Sequence, residues 1–276
     1  KEVIKKLVSD VDIYIVGVDK IDHEVIDAAP KLKLIIKHGV GYDNIDLDYA
    51  KKKGIAVTFA RGCNAQSVAE LAVALMLSVS RGIPAKNEEI KHGGWSLFMG
   101  SELNGKQLGL VGYGNIGSRV AKIAQAFGME VTAYDPYIES EVLEKAGIKK
   151  GSLEEVLSQS DFISLHAPAT KENENLIRAE TLQLMKSSAY LINTARGALV
   201  NEQDLKNAIL EKRIAGAAMD VLCTEPPEKK LVCLEKIICT PHLGACTVDS
   251  ARRLSDISYE NVMNYVNNRP LKNRLV

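Results

Sequence analysis

Leu108-Gly109-Leu110-Val111-Gly112-Tyr113-Gly114-Asn115-Ile116-Gly117 is the stretch that decides the fold. Its apolar residues form a short strand that runs into a glycine turn, and the turn opens a helix expected over Ser118 to Phe127. A second strand, Glu130 to Tyr134, ends at Asp135. Strand, G-x-G-x-x-G, helix, strand and acid in that order describe a site for a dinucleotide. Gly112 permits the tight turn, Gly114 lets backbone approach a pyrophosphate, and Gly117 lets the helix pack close to the strand. The turn residues Asn115 and Ile116 lead into a helix N-terminus whose N–H groups and dipole favour phosphate. Asp135 can accept both ribose hydroxyls of an adenosine and would repel a 2′-phosphate, so the expected cofactor is NAD rather than NADP.

Outward from this stretch, strands alternate with helices in both directions, which predicts a parallel α/β architecture. Towards the N-terminus, the expected strands are Ile13 to Val16, Leu34 to Ile36 and Ile55 to Thr58, and Asp46 caps a helix over Leu47 to Lys53. Ser67 to Ser80 reads as a long apolar helix with Ser67 and Glu70 as a capping box. Its apolarity suits a position between domains. Ile83 to Gly105 has weak periodicity, carries Trp95, and reads as an arm or a dimer contact. Towards the C-terminus, strands are expected near Phe162, Leu191, Ala217 and Ile237, and a last helix over Ser250 to Val266. These strands are apolar on both faces, as a sheet covered by helices requires.

The bulk composition sets outer limits. A chain of 276 residues fits one large domain or two ordinary ones. The 35 basic and 35 acidic residues balance, so neither nucleic acid nor a membrane surface is the expected partner. No apolar run is long enough to span a bilayer. The cysteines, Cys63, Cys223, Cys233, Cys239 and Cys246, form no C-x-x-C pair, so they read as free thiols of a cytoplasmic protein and no metal site is expected.

Ligands of open parallel sheets bind beyond the carboxyl ends of the strands. Those ends carry, in order, the glycine turn, Asp135, His166-Ala167-Pro168, Asn193-Thr194-Ala195-Arg196-Gly197, Asp220 with Glu225 soon after, and Pro241-His242-Leu243-Gly244. An arginine, a carboxylate and a histidine beside a dinucleotide suit hydride transfer to or from a 2-hydroxy acid. Arg196 can hold the substrate carboxylate and the C2 oxygen with its planar fork. His242 can remove and return the hydroxyl proton. Glu225 can accept the other imidazole N–H, orienting the ring and stabilising its protonated form. Asp220 can bind the nicotinamide carboxamide. His166 lies near the cofactor, where packing in the wall serves as well as a specific contact. His23, His38 and His92 have no supporting carboxylate nearby in sequence, and Cys223 and Cys246 read as packing residues. A second anion site is expected at Gly39-Val40-Gly41, where two glycines let backbone N–H groups point at a carboxylate. Lys37 precedes it, and Asn64 and Ser67 follow the next strand.

These stretches resemble the D-isomer-specific 2-hydroxyacid dehydrogenases, and within them the phosphoglycerate dehydrogenase branch. The resemblance is carried by residues 39–46, Phe98 to Lys106, the Gly112 to Gly117 turn, residues 193–197, Met219 through Pro227, and residues 241–245. It implies that Arg196, Glu225 and His242 are catalytic. It implies cofactor contacts at Gly112, Gly114, Asn115, Ile116, Gly117, Asp135, His166, Ala195, Asp220 and Gly244, and substrate contacts at Lys37, Val40, Gly41, Asn64 and Arg196. It also implies two Rossmann-like doubly wound domains with a cleft between them. The substrate domain is expected over 1–70 with 244–276, its opening strand and helix preceding Lys1, and the NAD-binding domain over 71–243. Dimerisation is expected through the latter.

Departures from the branch widen the expected substrates. Gly17 and Ser96-Leu97 stand where phosphoglycerate enzymes often carry arginines, and Lys37 stands where another arginine is common. The expected substrate is 3-phosphoglycerate with its oxo partner 3-phosphohydroxypyruvate, which would place the chain in serine biosynthesis. Hydroxypyruvate, glyoxylate or another short 2-oxo acid fits the same catalytic residues. An NAD(H)-responsive corepressor-like binding protein is the reading from another class. Phosphite oxidation is compatible with Glu225, whereas formate enzymes of this type carry glutamine there.

Overall fold

In chain order the protein opens with α1 (Glu2–Leu7), β1 (Ile13–Val16), α2 (His23–Asp27), β2 (Leu34–Lys37), α3 (Leu47–Lys52) and β3 (Ala56–Phe59). There follow α4 (Ala65–Arg81), α5 (Ile83–Lys91), β4 (Gln107–Val111), α6 (Gly117–Ala126), β5 (Glu130–Tyr134), α7 (Ser140–Lys145) and the short β6 (Lys149–Lys150). The chain continues through α8 (Leu153–Gln159), β7 (Phe162–Leu165), α9 (Ala179–Leu184), β8 (Tyr190–Asn193), α10 (Glu202–Leu210), β9 (Gly216–Met219), α11 (Lys229–Val232), β10 (Ile237–Cys239) and α12 (Val248–Val266). The structure is a computed structural model describing residues 1–227 and 229–276, with only the backbone described at 229 and 230. It divides into two compact units, Lys1–Asn64 with Cys246–Val276, and Ala65–Ala245. The sequence puts these boundaries at 70 and 244; the division at 64/65 and 245/246 leaves α4 whole within the second unit.

In the second unit the strands form one parallel sheet in the order β10-β9-β8-β7-β4-β5-β6. Strand order reverses at β4, so the crevice beyond its carboxyl end is the topological switch point. Period-two alternation sends neighbouring side chains to opposite faces. Ile163, Leu165, Leu191, Ala217 and Met219 enter one core, and Leu108, Leu110, Phe162, Ile192 and Ala218 enter the other. Burial on both faces explains why the strands read as continuous apolar runs.

The α4 helix packs on α6 and on β8, β9 and β10, with Ala69, Ala72, Val73 and Met76 in the second core. The expected cap at Ser67 is not where the helix begins. The apolar period runs back to Ala65, which leaves Ser67 buried inside the first turn. Glu70 accepts a hydrogen bond from Gln66 one turn earlier instead (2.8 Å). Within the weakly periodic stretch after α4 the structure adds α5, followed by a segment of no regular structure. Trp95, Leu97 and Met99 on that segment are 86%, 95% and 95% exposed. No single helix among the described residues is long and apolar enough to cross a membrane.

The first unit is built on a three-stranded parallel sheet, β1-β2-β3. Ile21, Ile26, Ile35, Val57 and their neighbours form its core, and α12 packs on β2. Asp46 caps α3 by accepting from Tyr49 N–H at 2.9 Å, as the sequence leads one to expect. The C-terminal residues run antiparallel along β3, with Leu275 N–H donating to the Val57 carbonyl (2.8 Å).

Candidate active site

The β4 turn is shaped by close backbone approach. Gly112 has φ +98°, and a Cβ there would lie 2.8 Å from the backbone at His166–Ala167. A Cβ at Gly117 would lie 2.3 Å from the Gly112 carbonyl oxygen. Gly114 differs, because a Cβ there would meet nothing within 4 Å. The turn therefore keeps open space over Gly114, at the start of the ten-residue α6. The N–H groups of Gly114 through Gly117 make no recorded hydrogen bond among the described residues. Asp135 accepts Tyr113 N–H on Oδ2 (2.8 Å) and Tyr137 N–H on Oδ1 (2.9 Å), which ties the end of β5 to the glycine turn.

Two buried polar atoms at neighbouring strand ends, His166 Nδ1 and Thr194 Oγ1, have no partner among the described residues. Buried polar groups are ordinarily bonded, so their orphaning here fits a polar ligand lying over β7 and β8. With the open space over Gly114 and the unspent N–H groups, the residues present fit a dinucleotide. His166 is half-buried as a residue, its Nδ1 is sealed, its Nε2 meets Ser164 Oγ at 2.9 Å, and burial pushes its pKa down to about 3.

The residues expected to be catalytic gather at the ends of β8, β9 and β10. Asn193, fully buried, shapes the turn after β8 by donating to the Arg196 carbonyl (2.9 Å) and accepting Ala195 N–H (3.0 Å). Arg196 Nη1 donates to the Ala195 carbonyl (2.8 Å). Gly197 follows, and a Cβ there would lie 2.2 Å from the Leu222 carbonyl carbon. Only glycine lets the arginine turn come that close to the loop carrying Glu225. Leu222 N–H donates to Glu225 Oε1 (3.1 Å), and Glu225 Oε2 meets His242 Nδ1 at 2.9 Å. Burial pushes the Glu225 carboxyl up, but the bonds from His242 and Leu222 N–H, with the charges of His242 and Arg196, hold it below its usual range. Glu225 and His242 also line a largely apolar cavity of about 400 Å³ with Asp220, Leu222, Pro226 and Thr240.

His242 sits at φ +54°, a left-handed backbone unusual for this residue. Its N–H donates to the Asp220 and Thr240 carbonyls (2.9 and 3.0 Å). The Asp220 carboxylate accepts Thr240 Oγ1 (2.6 Å), Leu243 N–H (2.7 Å) and Gly244 N–H (2.8 Å). Sequence reading selects Asp220 for a cofactor carboxamide; in the structure its carboxylate also folds the histidine loop. Asn193, Gly197 and Thr240 have no such assignment from sequence, since each acts by shaping a loop. A polar residue at a strand end just before a charged one is the signal that could have marked Asn193. Burial, with Glu202 nearby, pushes the Cys223 and Cys239 thiols up to about 11, so neither is poised as a thiolate.

In the first unit, Gly39, Val40 and Gly41 form a half-buried turn after β2, and Asn64 Oδ1 is buried with no partner among the described residues. Lys37 is buried, and its ammonium donates to the Gly17 carbonyl and to Asn44 Oδ1 (2.8 Å).

Residues 73–244 match the family pattern of the D-isomer specific 2-hydroxyacid dehydrogenase, NAD binding domain. The chain belongs to this family. It is 41% identical over 267 residues to a D-3-phosphoglycerate dehydrogenase of Methanocaldococcus jannaschii, an alignment covering 95% of this chain and 51% of that one. It is 40% identical over 261 residues to a hydroxypyruvate reductase of Thermotoga maritima, covering 92% and 84%. The chain thus spans about half the length of the phosphoglycerate dehydrogenase and most of the reductase. The crystal structure of an Aquifex aeolicus D-lactate dehydrogenase with NAD and lactic acid superposes with a TM-score of 0.88 at 35% identity, covering 96% of this chain and 85% of that one. Family membership accounts for the open glycine turn, which serves the NAD-binding domain.

Two outcomes follow. Gly114→Val will leave the thermal midpoint within about 2 °C of wild type, because no atom is displaced, yet weaken NADH binding about tenfold or more. Unchanged affinity by fluorescence titration would place the pyrophosphate elsewhere. His166 takes a proton in the unfolded chain near pH 6.5 but in the folded chain only near 3, so stability falls as pH drops below 6.5. Urea midpoints at pH 7 and pH 5 will fall less for His166→Gln than for wild type; equal falls would contradict the buried neutral ring.

Proposed function

We propose that this protein is an NAD-dependent D-2-hydroxyacid dehydrogenase interconverting a short 2-hydroxy acid and its 2-oxo acid. The observation that carries the reading is the 2.9 Å contact of Glu225 with His242, with the Arg196 charge beside it, on an NAD-binding domain. NAD, when bound, supplies the two-electron acceptor for C2. Arg196 holds the substrate carboxylate and C2 oxygen, and its fixed positive charge polarises the carbonyl in the reductive direction. His242 Nε2, the ring nitrogen turned from Glu225, takes the hydroxyl proton in oxidation and returns it in reduction. Glu225 stays ionised and stabilises the imidazolium so formed. Val40, Gly41 and Asn64 of the first unit contact the substrate. Asp135 accepts the adenosine ribose hydroxyls, favouring NAD over NADP.

The first candidate substrate pair is 3-phosphoglycerate and 3-phosphohydroxypyruvate, supported by the M. jannaschii relative; the second is hydroxypyruvate or glyoxylate, supported by the T. maritima reductase. The first pair would place the enzyme in serine biosynthesis in the cytoplasm.

NADH oxidation will be measured with 3-phosphohydroxypyruvate, hydroxypyruvate, glyoxylate, pyruvate and 2-oxoglutarate, with NADPH as control. His242→Ala will lower kcat for the preferred acid by about 10²–10⁴-fold while NADH still binds. Wild-type turnover in that variant would remove His242 as the base.

We also propose a homodimer through the exposed Trp95–Met99 segment, whose apolar side chains suit a buried contact. Sedimentation will show a dimer that Leu97→Asp converts to monomer. A dimer surviving that change, or an assembly formed only with NADH in a protein silent on every acid, would sink the arm contact or the enzyme reading respectively.

A further inference from the structure

The lysine expected among the substrate contacts is buried, and its bonds point to another role. Lys37 ends β2 and is 7% exposed. An ammonium withdrawn from water must be held by strong acceptors. Its Nζ donates to the Gly17 carbonyl, in the turn after β1, and to Asn44 Oδ1 at 2.8 Å. Asn44 Nδ2 in turn donates to the Gly17 carbonyl (3.2 Å) and the Asp19 carbonyl (2.6 Å). The Asn44 carbonyl accepts Ile21 N–H at 2.8 Å. Three segments of the first unit are therefore tied at one knot.

The turn at Gly39-Val40-Gly41 is strung between the two halves of that knot. The Gly39 carbonyl accepts Ala60 N–H (3.0 Å), and a Cβ at Gly39 would lie 3.0 Å from Lys37 Cε, so the turn rests directly on the lysine stem. Its far end is closed by Ile45 N–H on the Tyr42 carbonyl (3.0 Å) and by the Tyr42 ring edge-on to Phe59 at 5.3 Å. Among the described residues, the N–H groups of Val40 and Gly41 make no recorded hydrogen bond. Two adjacent donors on a braced turn, above a buried cation, form a cradle for a carboxylate.

We propose that Lys37 is a positioning residue: through Asn44 and Gly17 it braces the Gly39–Gly41 turn, whose N–H groups hold the carboxylate shared by every 2-hydroxy and 2-oxo acid. This rests on the dehydrogenase reading. Bracing lowers the ordering cost of binding. Lys37 is thus separated from any group that recognises the substrate tail.

The test uses the full chain. Lys37→Met keeps the stem and removes the donor, and Asn44→Ser removes the other half of the knot. Oxamate, a tail-less oxo-acid mimic, is titrated calorimetrically into the NADH-bound protein. KM and kcat are then compared for hydroxypyruvate and 3-phosphohydroxypyruvate. Both variants will weaken oxamate and raise both KM values by a common factor of about ten, with kcat and NADH affinity held. A loss confined to the phosphorylated acid would make Lys37 a ligand of the tail and overturn the proposal, as would unchanged oxamate binding. If Lys37→Met does not fold, Asn44→Ser decides by the same readings. Wild-type silence on all oxo acids with intact NADH binding is the separate failure of the dehydrogenase reading.

Discussion

The carboxylate of Asp220 is the constraint on which the geometry of the candidate site depends. It is 2% exposed and gathers one hydroxyl and two backbone N–H donors from the segment Thr240 to Gly244. A buried charge so satisfied is stable, and removing its donors would leave it costly. The loop is therefore folded around the charge. That is how His242 can hold a left-handed backbone, which its own N–H bonds to Asp220 and Thr240 help to offset. An asparagine could accept on one oxygen only and could not satisfy donors that approach both.

The second constraint is steric. Glu225 can meet His242 only if the loop after β9 lies close to the turn after β8, and Gly197 supplies that room. Asn193 shapes the turn from below and Leu222 N–H holds one carboxylate oxygen, leaving the other for the histidine. Arg196, Glu225 and His242 are thus presented from three adjacent parallel strands by backbone bonds. These bonds fix the loops that carry the three side chains while leaving about half of the Glu225–His242 pair exposed.

Much of this was legible before any coordinates. The alternation of short apolar runs with helices marks the β4 to β10 sheet, because strands buried on both faces leave no polar interruptions. The glycine turn and the charged residues at strand ends were legible for the same reason: parallel topology places those ends together. The short β6 was not, since two lysines carry no strand pattern. Nor was the true start of α4, because a serine inside a helix and a serine capping one look alike until the apolar period is followed back to Ala65.

Charged residues show the remaining gap between pattern and place. Sequence identifies Lys37 and Asp220 as charges at strand ends, and a charge there is naturally read as facing a ligand. Both are almost wholly buried and hydrogen-bonded to other loops of their own unit. The deciding quantity is the number of internal donors or acceptors within reach, and that depends on loops distant in sequence: Gly17 and Asn44 for one, residues 240–244 for the other. His242 is the converse, a half-exposed ring whose Nδ1 meets a carboxylate of its own unit. A buried charge met by several internal partners shapes the loops around it, whereas the half-exposed imidazole is turned by the carboxylate beside it.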